Sequence, residues 1–423
     1  MNSNKEGFAQ ELPAAADPAD AGQPLIRASF DWLSAGQFAF SLLAVLSLGS
    51  IAVISALLVI AGIPSGGPDI QHNQVISSLL FAAGLGFAGL LLIPSAVHSG
   101  KRLFTERTSA VLRWERLVWL AAIFPVFIYI GYLIQSGPEW THYLLPGIHV
   151  LANGAGLIWV LNLVRRRLPP ESAQRSWGVF GVGLTLTPLI TFFIEILILI
   201  MVGIFWIFLI QTNAGLEQDF LNFSNFIYGA SGESVIPPRI GEFIARPEIS
   251  GTIFLYFSFF IPLVEELLKP LAVYILLGRK LLPWEGFVMG ATAGAGYALF
   301  ENLTIGATAE AWTFVIVSRI GTAAVHILTT GMVGWGLASA WSDRKYGRLA
   351  GSFIAAVALH GVWNGLNILT ALAELEGFGA QISPFFLNFA NYAPVGLFVL
   401  ALGSMVGLLR ANSRLRRAII AQD

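Results

Sequence analysis

The 423-residue chain contains no cysteine, and Asp, Glu, Lys and Arg together make up only 12% of it. Without cysteine there can be no disulfide, thiolate metal site or cysteine nucleophile, and the redox compartment is left open. Soluble globular proteins carry about 25% charged residues. A chain with about half that amount lacks the charge to cover a water-facing surface, which excludes a large soluble enzyme. Basic excess is missing as well: 24 Lys and Arg stand against 25 Asp and Glu, a formal net charge of -1. A nucleic-acid partner therefore has no electrostatic support. What is abundant is apolar sequence, 56% hydrophobic with a mean hydropathy of +0.72, the composition of a multispanning membrane protein.

Crossing a bilayer takes roughly 20 mainly apolar residues. Ten stretches qualify: 38–61, 76–97, 117–135, 143–164, 178–210, 251–277, 286–307, 312–341, 349–373 and 392–409. The expected fold class is thus an all-α membrane protein, a polytopic bundle of about ten transmembrane helices. Residues 1–37, polar and rich in Ala and Pro, read as a disordered cytoplasmic tail, and 38–61 is too long for a signal-peptide core and reads as an uncleaved anchor. The first five helices occupy 38–210, an extracytoplasmic loop 211–250, a second helical block 251–410 and a basic cytoplasmic tail 411–423. With the N-terminus inside, alternation through ten spans puts twenty basic residues on the cytoplasmic side and two, Arg239 and Arg246, outside. That bias predicts cytoplasmic N- and C-termini. The stretch 178–210 is long for one crossing, and Pro188 predicts a kink or tilt within it.

Charged and imidazole groups gather in the later spans. Glu195 lies in the fifth, Glu265, Glu266 and Lys269 in the sixth, Glu301 in the seventh, Arg319 and His326 in the eighth, and His360 in the ninth. Each central charge costs about 2.5–3.5 kcal/mol to insert, so such residues must face a protein interior or a wet cavity. Lys269 is i,i+4 from Glu265 and i,i+3 from Glu266 and can reach either carboxylate. The two glutamates point about 100° apart on the helix, so one is expected to face the cavity and the other to be held by Lys269 or a neighbouring helix. Arg319 and His326 share a stripe, as do His360 and Asn364. Gly290, Gly294 and the run from Gly331 to Gly336 would let helix backbones approach closely. His149 and Glu195 are expected to be satisfied by neighbouring helices, and His72, His98 and His142 to sit near the membrane interfaces.

Glu and His converging on a desolvated, water-accessible spot can activate water, and imidazole or amide donors can stabilise an oxyanion. Two histidines with one or two glutamates could instead hold zinc with a position open for water, although no H-E-x-x-H is present. A proton- or ion-coupled transporter built on the same Glu/His set is the alternative, and no internal repeat supports it. Gly229-Ala230-Ser231-Gly232 carries the G-x-S-G pattern of rhomboid serine proteases, but in a polar segment where a turn is the ordinary reading.

Four elements in order, on successive hydrophobic helices, resemble the PrsW family of intramembrane proteases, part of the superfamily of CAAX prenyl endopeptidases. They are Glu265-Glu266-Leu267-Leu268-Lys269, Tyr297-Ala298-Leu299-Phe300-Glu301, the lone His326, and His360-Gly361-Val362-Trp363-Asn364. Ile305 stands where some members carry tyrosine. The resemblance covers about 250–370 and implies a PrsW-like catalytic core over 251–410 that hydrolyses a peptide bond in or beside the membrane. It also implies roles. Glu265 would activate water with help from Glu301, His360 and Asn364 would stabilise the oxyanion, and His326 would be a further ligand or proton relay. Glu266 and Lys269 would orient the first of these helices, with Arg319 and Tyr297 in support. The preferred reading needs no cofactor; with zinc, the candidate ligands are Glu265, Glu301, His326 and His360. The implied substrate is a single-span, membrane-anchored regulator such as an anti-sigma factor, in the plasma (inner) membrane.

Overall fold

A computed structural model describes residues 31–62, 68–105, 110–112, 118–229, 243–279, 281–375 and 382–420. The described residues are all-α apart from one two-residue pairing, Val111–Leu112 with Glu171–Ser172. Helix α1 (Trp32–Ile60) begins six residues before the expected span because Asp31 caps it, its carboxylate accepting from the Ser34 N–H at 3.2 Å. It lies along α2 (Pro68–Thr105), followed by α3 (Val118–Gln135) and α4 (Leu145–Arg165). Residues 173–212 form one continuous helix, α5 (Ala173–Gly181) and α6 (Thr187–Thr212) joined through a π-helical turn at Val182–Leu186. The expected irregularity at Pro188 is therefore this wide turn, which ends just before the proline.

Seven helical stretches among the described residues are long and apolar enough to cross a membrane, including Trp32–Ile60, Ala173–Thr212 and Trp312–Asp343. The remaining three of the ten expected stretches depart from that type for visible reasons. The first, α3, has a shorter apolar helix at its core, Ala122–Gln135. Residues 251–277 are broken into α8 (Pro247–Leu255), a π-helical turn (Tyr256–Phe260), α9 (Ile261–Leu268) and α10 (Leu271–Leu276). Pro270, which has no N–H to give and sits outside helical geometry, makes the last of these breaks. The third, α11 (Pro283–Thr304), is rich in small residues, with Gly, Ala and Thr at ten of its 22 positions.

That composition puts α11 at the centre. It packs along α12 (Trp312–Asp343) more extensively than any other pair of described helices. A Cβ on Gly290 would run into the Thr330 carbonyl, and one on Gly294 would meet the His326 carbonyl oxygen at 2.6 Å. The opposite side of α11 receives the π-helical turn, where a Cβ on Gly183 would collide with the Ala293 carbonyl. Helix α13 (Tyr346–Glu374) packs on α12, while α6 turns Leu189, Phe192, Phe193 and Leu197 outward.

Two expected boundaries differ. The loop segment 211–250 contains a helix, α7 (Ala214–Gly229), tied to the start of α8 by the Asp219–Arg246 ion pair. The basic tail from 411 is not free: after α14 (Pro384–Ala390), α15 (Ala393–Ile420) runs through it. Asn412 Nδ2 donates to the carbonyls of Val164 and Arg166, each at 2.7 Å, which docks that end onto α4.

Candidate active site

Four helices converge on one buried cluster. Glu265 and Glu266 come from α9, with Lys269 following at its end, Tyr297 and Glu301 from α11, Arg319 and His326 from α12, and His360 from α13. Helix α9 ends at Leu268 and the break at Pro270 comes one residue after Lys269, while the Lys269 N–H still closes on the Glu265 carbonyl at 2.7 Å. Lys269 and Glu266 are 0% exposed, His326 and His360 1%, and Glu265 5%. Glu301 is the open member, its side chain 28% exposed.

Lys269 does not choose between the two glutamates. Its Nζ lies 2.7 Å from Glu265 Oε2 and 2.9 Å from Glu266 Oε1. It also lies 2.7 Å from His326 Nδ1 and 3.4 Å from His360 Nδ1, and it stands 4.7 Å above the centre of the Tyr297 ring. Helix spacing lets Lys269 reach either carboxylate, and its side chain is long enough to reach both.

Each histidine has one nitrogen committed to a carboxylate. His326 Nε2 meets Glu301 Oε2 at 2.9 Å, and His360 Nδ1 meets Glu266 Oε1 at 3.0 Å. The committed nitrogen carries the proton, leaving His326 Nδ1 and His360 Nε2 with lone pairs. His360 Nε2 lies 3.6 Å from Glu265 Oε2, and the two imidazoles are edge-to-face with centroids 4.8 Å apart. Arg319 Nη2 donates to Glu301 Oε2 at 2.8 Å and its Nε to Asn302 Oδ1 at 2.6 Å. Thr329 Oγ donates to Glu266 Oε1 at 3.0 Å.

Asn364 is placed differently from the rest. Its Nδ2 donates to the Phe257 carbonyl at 3.2 Å, tying α13 to the π-helical turn before α9. Sequence reasoning missed Asn302 and Thr329. Thr329 follows His326 by three residues and so stacks on the same helix face, a signal that was available; Asn302 carries none. Glu195 was expected to be satisfied by its neighbours. Its Oε1 is instead buried with no hydrogen-bond partner among the described residues, while its carboxylate lies in the field of Glu265 and Glu301. His142, in the short turn before α4, is buried, its Nδ1 paired with His72 Nε2 at 3.0 Å. His149 sits against Asn153 Nδ2 at 3.3 Å. The Gly229-Ala230-Ser231-Gly232 motif falls, beyond its first glycine, outside the described residues.

The cluster has the chemistry of a metal-binding group. Glu265, His326 and His360 each offer a donor atom, and these atoms lie within 4.8 Å of one another. Glu265 Oε2 is buried, with the Lys269 ammonium at 2.7 Å and His360 Nε2 at 3.6 Å. A carboxylate with two imidazoles is the donor set of catalytic zinc sites that keep a fourth position open, and carboxylates behind both histidines are the usual outer support. The residues therefore fit such an ion.

No curated protein and no solved structure matches the chain. A family model does: that of the PrsW family intramembrane metalloproteases matches residues 197–391, from α6 to the end of α14. This stretch supplies every residue of the cluster, and over it the chain is similar to the PrsW family, a family of membrane-embedded proteases.

Proposed function

We propose that the chain is a membrane-embedded peptidase that hydrolyses a peptide bond, in or near the membrane, of a membrane-anchored protein. The observation that carries this reading is the meeting of Glu265, His326 and His360 within 4.8 Å in a buried core, on three separate segments of the matched region. The same match gives no support to the transporter alternative.

Glu265 Oε2, His326 Nδ1 and His360 Nε2 would hold the metal. An ion held there supplies Lewis acidity toward the scissile carbonyl and makes a bound water acidic enough to attack near neutral pH. Glu301 and Glu266 fix the two imidazoles in the orientation that keeps these lone pairs directed inward. Glu301, the most open of the cluster's carboxylates, would exchange protons between water and the leaving amine. Arg319 and Asn302 hold Glu301 in position. A metal-free reading is favoured by one observation, the Lys269 ammonium standing among the donors. In it Glu265 is the water-activating base, assisted by Glu301, and His360 with Asn364 stabilises the oxyanion.

The test is co-expression of a tagged single-span substrate with wild type, Glu265→Gln and His360→Ala. Fragments are expected from wild type alone, and unchanged cleavage in both variants defeats the assignment. Loss of cleavage with a chelator and recovery on adding zinc decides for the metal.

We further infer ten crossings with both termini cytoplasmic, in the plasma membrane. The Asp31–Arg102 and Arg175–Glu285 ion pairs and the docking of Asn412 on α4 join segments expected inside. His72, His142, Gln135 and Glu310 join segments expected outside. Reporter fusions at 136–138 and at 344–345 should report opposite sides. The substrate class is a single-span, anti-sigma-like regulator held in the bilayer, with no nucleic acid involved.

A further inference from the structure

We propose that the Lys269 ammonium and the metal ion are alternative occupants of one cage, so that the ion binds only when Lys269 withdraws. The inference rests on the reading that Glu265, His326 and His360 form the metal-binding group.

The argument turns on a single lone pair. His326 Nε2 is committed to Glu301 Oε2 at 2.9 Å. The proton-free nitrogen is therefore Nδ1, and Lys269 Nζ lies 2.7 Å from it. An ammonium has only donors to offer, and a neutral imidazole has one accepting nitrogen. That lone pair can accept the lysine N–H or bind a metal, but it cannot do both. The same ammonium lies 2.7 Å from Glu265 Oε2, a second of the three donor atoms. Zinc bonds to nitrogen and carboxylate oxygen are about 2.0–2.2 Å long, so an ion bound to these atoms would take the contacts that Lys269 now makes.

Withdrawal does not strand the lysine. Glu266 Oε1 lies 2.9 Å from Nζ and is outside the donor set. The Tyr297 ring face, 4.7 Å away, offers cation–π compensation. Lys269 thus has one pair of partners that the ion would take and another that the ion leaves alone. It acts as a positioning residue with an additional role, an internal cation against which the metal must compete.

The experiment measures zinc binding, not proteolysis. The purified full chain, in detergent and stripped with a chelator, is titrated with zinc by equilibrium dialysis. The informative variant is Glu266→Gln with Lys269→Met. It removes one positive and one negative charge, so the net charge of the site is unchanged, and the glutamine still offers an oxygen to Thr329 and His360. Tighter binding then reports a vacated position rather than a more negative site. We expect the double variant to bind zinc at least about tenfold more tightly than wild type, about 1.4 kcal/mol. Adding His326→Ala should abolish that gain. Lys269→Gln, which shortens the side chain and removes its charge, gives a second measure should the double variant fail to fold, with the same direction expected. Equal or weaker zinc binding in the variants overturns the proposal, as does a gain that survives His326→Ala. If neither wild type nor any variant binds zinc, the proposal and the metal reading both fall, and the fragment assay still decides whether the chain is a peptidase.

Discussion

Arg319 Nη2 donates to Glu301 Oε2 at 2.8 Å, on the same oxygen that His326 Nε2 reaches at 2.9 Å. Arginine and histidine thus meet on one atom, and the position of the imidazole depends on a residue two helical turns away on its own helix. Arg319 also holds Asn302 through Nε, a two-pronged contact that the single ammonium of lysine cannot reproduce. Arg319→Lys should lower kcat on a tagged substrate by about 10–100-fold, the usual cost of disturbing the support of a metal ligand. KM should stay nearly unchanged. A variant with wild-type kcat would show that Glu301 needs no clamp.

Glu195 should trade stability against activity. Its Oε1 is buried without a hydrogen-bond partner among the described residues, and an unsatisfied buried group costs about 1–3 kcal/mol. Glu195→Leu is expected to raise the thermal midpoint in detergent while lowering cleavage. A lower midpoint would mean that the carboxylate is satisfied in the membrane.

The close approach of α11 and α12 is the most sensitive point of the fold. Gly290→Leu pushes a side chain into the Thr330 carbonyl. It should cost at least the roughly 1–3 kcal/mol of an overpacked core and be read as a lowered midpoint with reduced yield of folded protein. Gly251→Leu, where a Cβ meets no atom within 4 Å, is the control. Equal loss in both would place the sensitivity elsewhere.

At the expected inner surface, partial burial raises the Asp31 carboxyl, but hydrogen bonds from Arg102 and Ser34 outweigh it and bring it from 3.8 down to about 2. A carboxyl lowered in the folded state stabilises above its ordinary value and loses that contribution as pH falls. Asp31→Asn should therefore lower the thermal midpoint near neutral pH, and the gap from wild type should close as pH falls from 3.8 toward about 2. A gap that stays constant over that window would assign the effect to the helix cap alone.

How far the site was legible follows from how each pair is spaced. Glu266 and Lys269 sit on one short helix, and their contact at 2.9 Å is what i,i+3 spacing dictates. The link from His360 to Glu266 joins residues 94 positions apart, and no local pattern announces it. Asn364 shows the limit of spacing arguments. It does stack with His360 on α13, yet the wide turn at Tyr256–Phe260 gives it the Phe257 carbonyl as a partner.

The amino-acid sequence alone determined that this chain lives in a bilayer, because apolar length and scarce charge leave no other solvent. It also determined which few ionisable residues had to find partners there, since each is too costly to leave alone. Tertiary structure decided which partner each one took. Helix spacing sets the direction of a side chain relative to its own axis only. The meeting of Lys269, His326 and Glu265 depends on how four helices rotate and how closely glycines let α11 and α12 approach.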